Sequence, residues 1–499
     1  MKKKPNIVFI MADQFRFDAI ARHGNKLIST PTLDQWIANG FDFVNAYSAT
    51  PTCVPARATL LSGLSQTSTG IVGYQEGANW NFPNKLGEAF AKRGYYAKAI
   101  GKMHVNPPRN RMGFHHVELH DGYLHQTRKS NLKVEDSYQY SDDYLAFIKE
   151  QLGSNVDFID YGLECNSWVS RPFPFDEKYH PTNWVITRAI DFLRTRDKEE
   201  AFFLKISFVR PHSPLDPPKY YFEMYLDLLK DLSENDIYKW TKSLGLDNLV
   251  SSIDALEGKL PMHEYRRMLA GYFGLVTQID HQINRFMMAM GEHGLLNNTI
   301  FIFTSDHGDQ LGDHNLFRKG FAYQSSVHIP LIVYDPGECL MPHASRKSKI
   351  EEIVELRDIL PSLIDFATGE KLLRVDGKSF KSLMINEENY HKWRNYLHGE
   401  HILGKFSNQY IIRLPYKYIW YTQTGDESLF NIDEDPNEIM DLIEDGKFLH
   451  IKDELKSLLI NELKNRPEGF VENAELICVK EQKTLLPINE KYRRGHDVD

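Results

Sequence analysis

Three short apolar runs stand out along the chain, because each one ends on groups able to bind or react. Asn6-Ile-Val-Phe-Ile-Met-Ala-Asp13 closes on a carboxylate, the run at 201–209 leads into Arg210-Pro-His212, and the run at 299–304 leads into Ser305-Asp-His-Gly308. Continuous apolar stretches of this length suit strands covered on both faces, and in open α/β sheets sites form beyond the carboxyl ends of the strands. A further strand is expected at 96–100. Helical patterns lie between, at 32–39, 85–92, 184–194 and 265–290, with Gly40, Gly94 and Gly291 as stops. Alternation of strands and helices predicts a doubly wound, mostly parallel α/β sheet.

After about residue 385 the texture changes. Residues 408–413, 417–421 and 428–432 read as short strands with turn punctuation, and 449–465 as a helix, which predicts a smaller α+β unit with an antiparallel sheet. The expected organisation is a large domain over 1–385 and a C-terminal subdomain over 386–499, with a frayed tail from Lys491. Residues 110–180 are aromatic-rich with little periodicity (Tyr123, Tyr138, Tyr140, Tyr144, Trp168), the texture of long loops over a site or of an irregular subdomain.

Composition narrows the classes. With 68 Asp+Glu against 59 Lys+Arg the net charge is −9, and beyond Lys2, Lys3 and Lys4 there is no dense basic block, which argues against a bulk nucleic-acid binder. No run approaches the ~20 apolar residues of a membrane span. The apolar stretch at 7–12 is stopped by Asp13, too soon for a signal-peptide core. Cys53, Cys165, Cys339 and Cys478 are dispersed and form no CxxC pair, so thiols in a reducing cytoplasm are expected.

The most informative stretch is Pro51-Thr-Cys53-Val-Pro55-Ala-Arg57-Ala-Thr-Leu-Leu-Ser-Gly63. Pro55 suits a first helical turn and Gly63 a helix stop, placing Cys53 at a helix N-terminus. Unpaired amides there favour an oxyanion, with Arg57 one turn along as a fixed cation. On spacing alone, a buried Cys before a short helix reads equally well. Asp13, Asp306 and His307 stand at two strand ends. Their oxygen-rich set with one imidazole suits Ca²⁺, Mg²⁺ or Mn²⁺, although Asp-His-Gly alone is more often a capped turn. Lys102 and His104, two apart after the strand at 96–100, are expected to face one side.

Cys53-Val-Pro-Ala-Arg57 with the following Ala-Thr-Leu-Leu-Ser-Gly resembles the signature of the type I sulfatases. Asn6 to Asp13, Gly101-Lys-Met-His104, Pro211-His-Ser-Pro214, Thr304-Ser-Asp-His-Gly308 and Leu429-Phe-Asn-Ile-Asp-Glu-Asp-Pro-Asn-Glu438 follow in the family's order, so the resemblance spans most of the chain. It implies an alkaline-phosphatase-like fold in which 1–385 is the catalytic domain, and a sulfuric ester hydrolase acting on a small organic or carbohydrate sulfate. By the same resemblance Cys53 is the precursor of formylglycine, whose hydrate attacks sulfur, and conversion requires a formylglycine-generating maturase as partner. The implied metal shell is Asp13, Gln14, Cys53 in converted form, Asp306 and His307, holding calcium first, with manganese or magnesium as alternatives. Lys102 and Lys319 would bind sulfate beside Arg57, His104 would assist the aldehyde hydrate, and His212 would stand near the leaving oxygen.

Gln14 replaces the second Asp of many members, and with His307 it resembles the choline-sulfatase and phosphonate-monoester-hydrolase branch. Phosphonate or phosphodiester hydrolysis is therefore the near alternative, and an inactive sulfate-binding relative with unmodified Cys53 the distant one. The remaining candidates read mostly as structural: His23, His115, His116 and His328 as loop or surface histidines, and Asp309, Asp313 and His314 as caps or solvated groups. Trp168, Arg171, His180, Trp184, His398 and His401 are weak candidates for a sugar subsite. Sequence does not fix an oligomeric state.

Overall fold

The computed structural model describes residues 4–122, 142–153, 162–234, 240–241, 244–385 and 393–493. Tyr123, Tyr138 and Tyr140 of the aromatic-rich region, the junction at 386–392 and the tail beyond 493 lie outside these residues.

Strand β1 (Asn6–Asp13) is buried along its whole length, and its alternation shows why the run is continuously apolar. Val8, Ile10 and Ala12 enter one core, built with helices Pro181–Thr195, Lys219–Leu228 and Met262–Glu292. Ile7, Phe9 and Met11 enter a second core, built with helices Cys53–Ser62, Leu86–Ala91 and Ile359–Thr368. Successive side chains of a strand point to opposite faces, so a strand with helices on both sides needs apolar residues at every position.

The other strands of this sheet are β2 (Phe41–Phe43), β4 (Tyr96–Gly101), β5 (His116–Leu119), β6 (Phe202–Pro211), β7 (Thr299–Ser305), β8 (Leu331–Tyr334) and β9 (Lys349–Ile350); β3 (Ala46–Tyr47) pairs separately with β10 (Val354–Glu355). The 8-stranded order is β5-β4-β6-β1-β7-β8-β2-β9. β8 runs antiparallel to both neighbours, while the β5-β4-β6-β1-β7 block is parallel. Because β1 lies between β6 and β7, its carboxyl end at Asp13 meets the residues that follow both: His212 after β6 and Asp306 after β7. Lys102 follows β4 at the same end of the sheet.

The C-terminal sheet is antiparallel in chain order: β11 (Leu397–His401), β12 (Asn408–Arg413), β13 (Tyr416–Tyr421) and β14 (Glu427–Asn431). One face, with Ile411, Tyr418, Trp420 and Leu429, packs on Leu455, Leu459 and Leu463 of helix Leu449–Leu463. The other, with Tyr410, Ile412, Ile419 and Tyr421, packs against Tyr47, Ala49, Phe321 and Tyr323. Sandwiched this way, the sheet brings the end of β11 toward the cysteine helix, where the Glu400 amide donates to the Ala49 carbonyl at 2.8 Å.

Candidate functional site

Thr52 is extended (φ −149°, ψ 146°) and the helix begins at Cys53, with Pro55 in its first turn and every one of its 10 residues buried. It stops at Gly63, whose φ of 72° places it in the left-handed region and whose amide donates to the Thr59 carbonyl. A Cβ at Gly63 would also stand 2.8 Å from Val375 Cγ1, so this stop requires glycine on two counts. The Cys53 sulfur is 3.3 Å from His307 Nε2, 3.5 Å from Asp13 Oδ1 and 3.8 Å from Lys102 Nζ. Burial and Asp13 push its thiol up, but Lys102, Lys319 and His307 outweigh them and hold it well below the usual range.

Below the sulfur, Asp13, Cys53, Asp306 and His307 each offer a ligand atom, all within 4.8 Å of one another, and all four residues are buried. His307 Nδ1 lies 2.9 Å from the Gly308 carbonyl, which only accepts, so Nδ1 carries a proton and Nε2 is the ring atom turned toward the carboxylates, 3.6 Å from Asp13 Oδ1 and 3.8 Å from Asp306 Oδ1. Burial and the neighbouring Asp13 push the Asp306 carboxyl up and outweigh Arg57 and His307, which pull it down. Two carboxylates and an oriented imidazole fit a divalent metal chemically. Gln14 stands beside them at φ 69°, its amide donating to Asp306 Oδ1 at 3.1 Å. Its carboxamide bridges Asp309 and Lys319.

Arg57 lies beneath this cluster and does not line the cavity above it. Its Nε donates to Asp306 Oδ2 at 2.9 Å, and Nη1 donates to the Lys102 carbonyl at 3.0 Å and to Ser207 Oγ at 3.2 Å. Lys205, a buried lysine that the sequence did not single out, donates to the same Lys102 carbonyl at 2.9 Å. Burial, then Arg57, drives its ammonium well below the usual lysine range.

Lys102 and His104 both come to Cys53, though not by strand alternation. β4 ends at Gly101, and His104 is in the left-handed region at φ 53°. Asp121 Oδ1 fixes that turn by accepting the amides of Met103 at 2.7 Å and His104 at 2.9 Å. Lys102 then pairs with Asp13 below the sulfur, while His104 lines the space above it.

That space is a cavity of about 220 Å³ lined by Thr52, Cys53, Tyr74, His104, Asn166, His212, Leu256, Arg318, Lys319, His401 and Leu403. His212 Nδ1 faces the Ser213 carbonyl at 2.8 Å. Burial, then Lys319, pushes its imidazole well below the usual range. His104 moves the other way: burial opposes its charge, but neighbouring Cys53 and Glu76 raise it. His401 reaches in from the end of β11 to Thr52, and burial brings it down to about 3, a neutral imidazole.

Of the weak sugar-subsite candidates, His401 alone lines this cavity. Trp184 is in the core, His180 is buried beside Asp216, and His398 bonds Gln409 at 2.8 Å. Asp309 is buried, not solvated: Oδ1 accepts the amides of Leu311 and Arg318 at 3.0 Å each. Asp313 pairs with Arg16 at 2.8 Å, and His314 stacks on Tyr323 with ring centroids 3.8 Å apart. Tyr74, Asn166, Leu256 and Leu403 had no sequence signal as cavity residues, since none belongs to a strand end or a spaced motif; Arg318 stood beside Lys319 without being singled out.

A sequence family described as Sulfatase matches residues 5–369, and one described as N-sulphoglucosamine sulphohydrolase, C-terminal, matches residues 312–465. An arylsulfatase of Clostridium perfringens (strain 13 / Type A) is 48% identical over 475 residues, covering 95% of this chain and 97% of the relative. In the solved structure of BT4656 with its substrate D-glucosamine-2-N,6-O-disulfate, the superposition has a TM-score of 0.71 at 21% identity, over 93% of this chain and 99% of the other. The phosphonate monoester hydrolase of Agrobacterium radiobacter gives a TM-score of 0.71 at 21% identity, over 92% and 95%.

Proposed function

The chain belongs to the sulfatase family, a hydrolase of sulfate esters, and from that premise we propose how its residues divide the work. The carrying observation is Cys53 at a helix N-terminus, its sulfur against Asp13, His307 and Lys102 and open to a cavity with histidines and a lysine. Conversion of Cys53 to formylglycine by an oxidising maturase would supply an aldehyde hydrate: one hydroxyl attacks sulfur as the bond from sulfur to the alcohol oxygen breaks, and deprotonation of the second breaks the C–O bond to sulfate, releasing it and restoring the aldehyde. Asp13, Asp306 and His307 would hold a divalent metal together with converted Cys53, and Gln14, whose carboxamide oxygen accepts from Lys319, stands beside them as the further ligand; the metal would supply positive charge toward the ester oxygens. Calcium is the first choice, with manganese or magnesium as alternatives.

Arg57 orients the carboxylates from below. Each lysine ammonium carries three donors. Lys102, engaged by Asp13, and Lys319, engaged by Gln14, therefore both keep N–H groups to direct at the sulfate oxygens. Conversion removes the Cys53 thiolate and leaves His104 with Glu76 as its acidic neighbour, so its imidazole takes the hydroxyl proton. His212, its Nδ1–H committed to Ser213, has Nε2 to exchange a proton at the leaving oxygen, a role it shares with Lys319. The large domain at 1–385 carries these groups, and the C-terminal subdomain at 386–499 closes one wall with His401 and Leu403. The substrate is a small organic or carbohydrate sulfate, met in the cytoplasm.

Matured protein, saturated with metal, should turn over 4-nitrophenyl sulfate with a higher kcat/KM than 4-nitrophenyl phenylphosphonate or bis(4-nitrophenyl) phosphate. The reverse order replaces the sulfate reading with the phosphonate or diester one. No turnover of any of the three, with Cys53 found entirely unconverted beside a competent maturase, leaves the sulfate-binding relative.

A further inference from the structure

The cavity over Cys53 holds a guanidinium beside the lysine assigned to the sulfate, and we infer that Arg318 forms a subsite for a second anionic group on the same substrate. This rests on the sulfatase reading above and deepens it to a substrate class: organic sulfates bearing a carboxylate or a second sulfate on one small body.

In a chain of net charge −9, the cavity lining holds Arg318, Lys319 and three histidines but no carboxylate. Lys319 is already engaged with Gln14. Arg318 has no ion-pair partner among the described residues: Nη2 donates to the Asp254 carbonyl at 2.9 Å, and its buried Nε makes no hydrogen bond. Three acids stand near it, of which Glu164 accepts the Cys165 amide at 3.2 Å. The Asp254 carboxylate accepts from Ser252 Oγ at 2.6 Å, and that of Asp309 takes the Leu311 and Arg318 amides and Gln14.

Backbone geometry supports the same reading. Arg318 is left-handed at φ 68°, fixed by its amide on Asp309 Oδ1 at 3.0 Å and by its carbonyl, which accepts from Gln310 at 2.7 Å. Neighbours in an extended segment point to opposite sides; here the left-handed turn lets Arg318 and Lys319 both line one cavity. A guanidinium with donors to spare matches a carboxylate or sulfate through paired hydrogen bonds. Leu256 and Leu403 supply apolar walls for the ring or alkyl body between the two anions.

The test measures calorimetric binding of three probes that cannot be hydrolysed, benzenesulfonate, 3-sulfobenzoate and benzene-1,3-disulfonate, to matured wild type, Arg318→Gln and Arg318→Lys. Wild type should bind at least one dianion about tenfold or more tighter than the monoanion, and which one separates a carboxylate from a second sulfate. That ratio should collapse toward one in Arg318→Gln and survive in part in Arg318→Lys. Equal affinities for all three probes in wild type, or a ratio retained in Arg318→Gln, overturn the subsite. If Arg318→Gln fails to fold, the wild-type ratio and the lysine variant still decide. Turnover of 4-nitrophenyl sulfate by the same wild-type preparation reports on the sulfatase reading separately.

Discussion

Two cavities of this molecule invite comparison. The one over Cys53 measures about 220 Å³; a cleft of about 850 Å³, lined by Arg16, Phe17, Asp18, His23, His328 and Glu438 among others, is much larger. In the large cleft the charges answer one another: Arg16 pairs with Asp18 at 2.6 Å and Asp313 at 2.8 Å, Lys349 with Glu351 at 2.8 Å, and Glu438 with Lys417. Its histidines are committed too, His23 to Asp42 at 3.1 Å and His328 stacked on Phe17 with centroids 3.7 Å apart. In the small cavity His104 has Glu76 at 3.8 Å, and Arg318 Nε has no partner among the described residues. Unpartnered buried atoms occur in both places, Tyr47 Oη in the large cleft included, so the difference lies in charge: the large cleft's Arg16 is paired and Arg318 has no ion-pair partner among the described residues. Volume favours the large cleft; an unpaired guanidinium beside a buried thiol and three histidines distinguishes the small one.

The largest expected break in this contrast is Cys53→Ala. It should lower kcat for 4-nitrophenyl sulfate by at least about 10⁴-fold, the scale on which enzymes lose a nucleophile, while thermal unfolding shows a folded protein; near-wild-type rates would remove Cys53 from the chemistry. Next in size, Asp306→Ala should strip bound metal, read by elemental analysis, and cut kcat/KM by more than about 100-fold. Unchanged metal content would move the cation elsewhere.

A smaller effect sharpens how the cavity wall is held. Arg210 and Asp216 form a buried two-point pair at 2.6 Å and 2.8 Å across the loop that carries His212. Burial raises the Asp216 carboxyl, but Arg210 and His180 outweigh it and bring it down to about 2. A depressed folded-state value means stability that is present above the unfolded carboxylate range near 4 and lost as pH falls toward 2. The shift corresponds to roughly 2 kcal/mol. Wild type minus Asp216→Asn in denaturant unfolding should therefore show that difference at pH 6 and lose it progressively below pH 4. A difference independent of pH would break the assignment. Smallest of all, Glu351→Gln in the large cleft, where both partners of the Lys349 pair are exposed, should change stability by less than about 0.5 kcal/mol and leave sulfate-ester turnover within assay error.

Much of this was legible in the sequence where local pattern decides structure. β1 spans the expected residues, helix 265–290 is observed as Met262–Glu292, and the predicted strand at 408–413 is β12. β2, β5, β8 and β9 escaped because strands of two to four residues carry too little periodicity, and with β8 escaped the one reversed strand of the main sheet. β11 escaped for another reason. Leu-His-Gly-Glu-His has no apolar alternation, and its burial is tertiary: Gly399 lies against Tyr410, Glu400 binds Arg466 at 2.7 Å and 2.8 Å, and His401 meets Thr52 across 349 residues of sequence. The same limit applies to side-chain direction. The helix start at Cys53 could be read from Pro55 and Gly63, but that Arg57 turns beneath the carboxylates depends on strands distant in sequence.

The central claim is that the compensated thiol at Cys53 is a precursor, and that catalysis begins only after its conversion. It is tested most directly by peptide mass spectrometry across Cys53, run on the same preparations whose turnover is measured, with and without a co-produced maturase. Conversion lowers the peptide mass by about 18 Da as the aldehyde replaces the thiol. Turnover that rises in proportion to the converted fraction is the predicted result; full activity in protein whose Cys53 remains entirely a thiol would contradict the account.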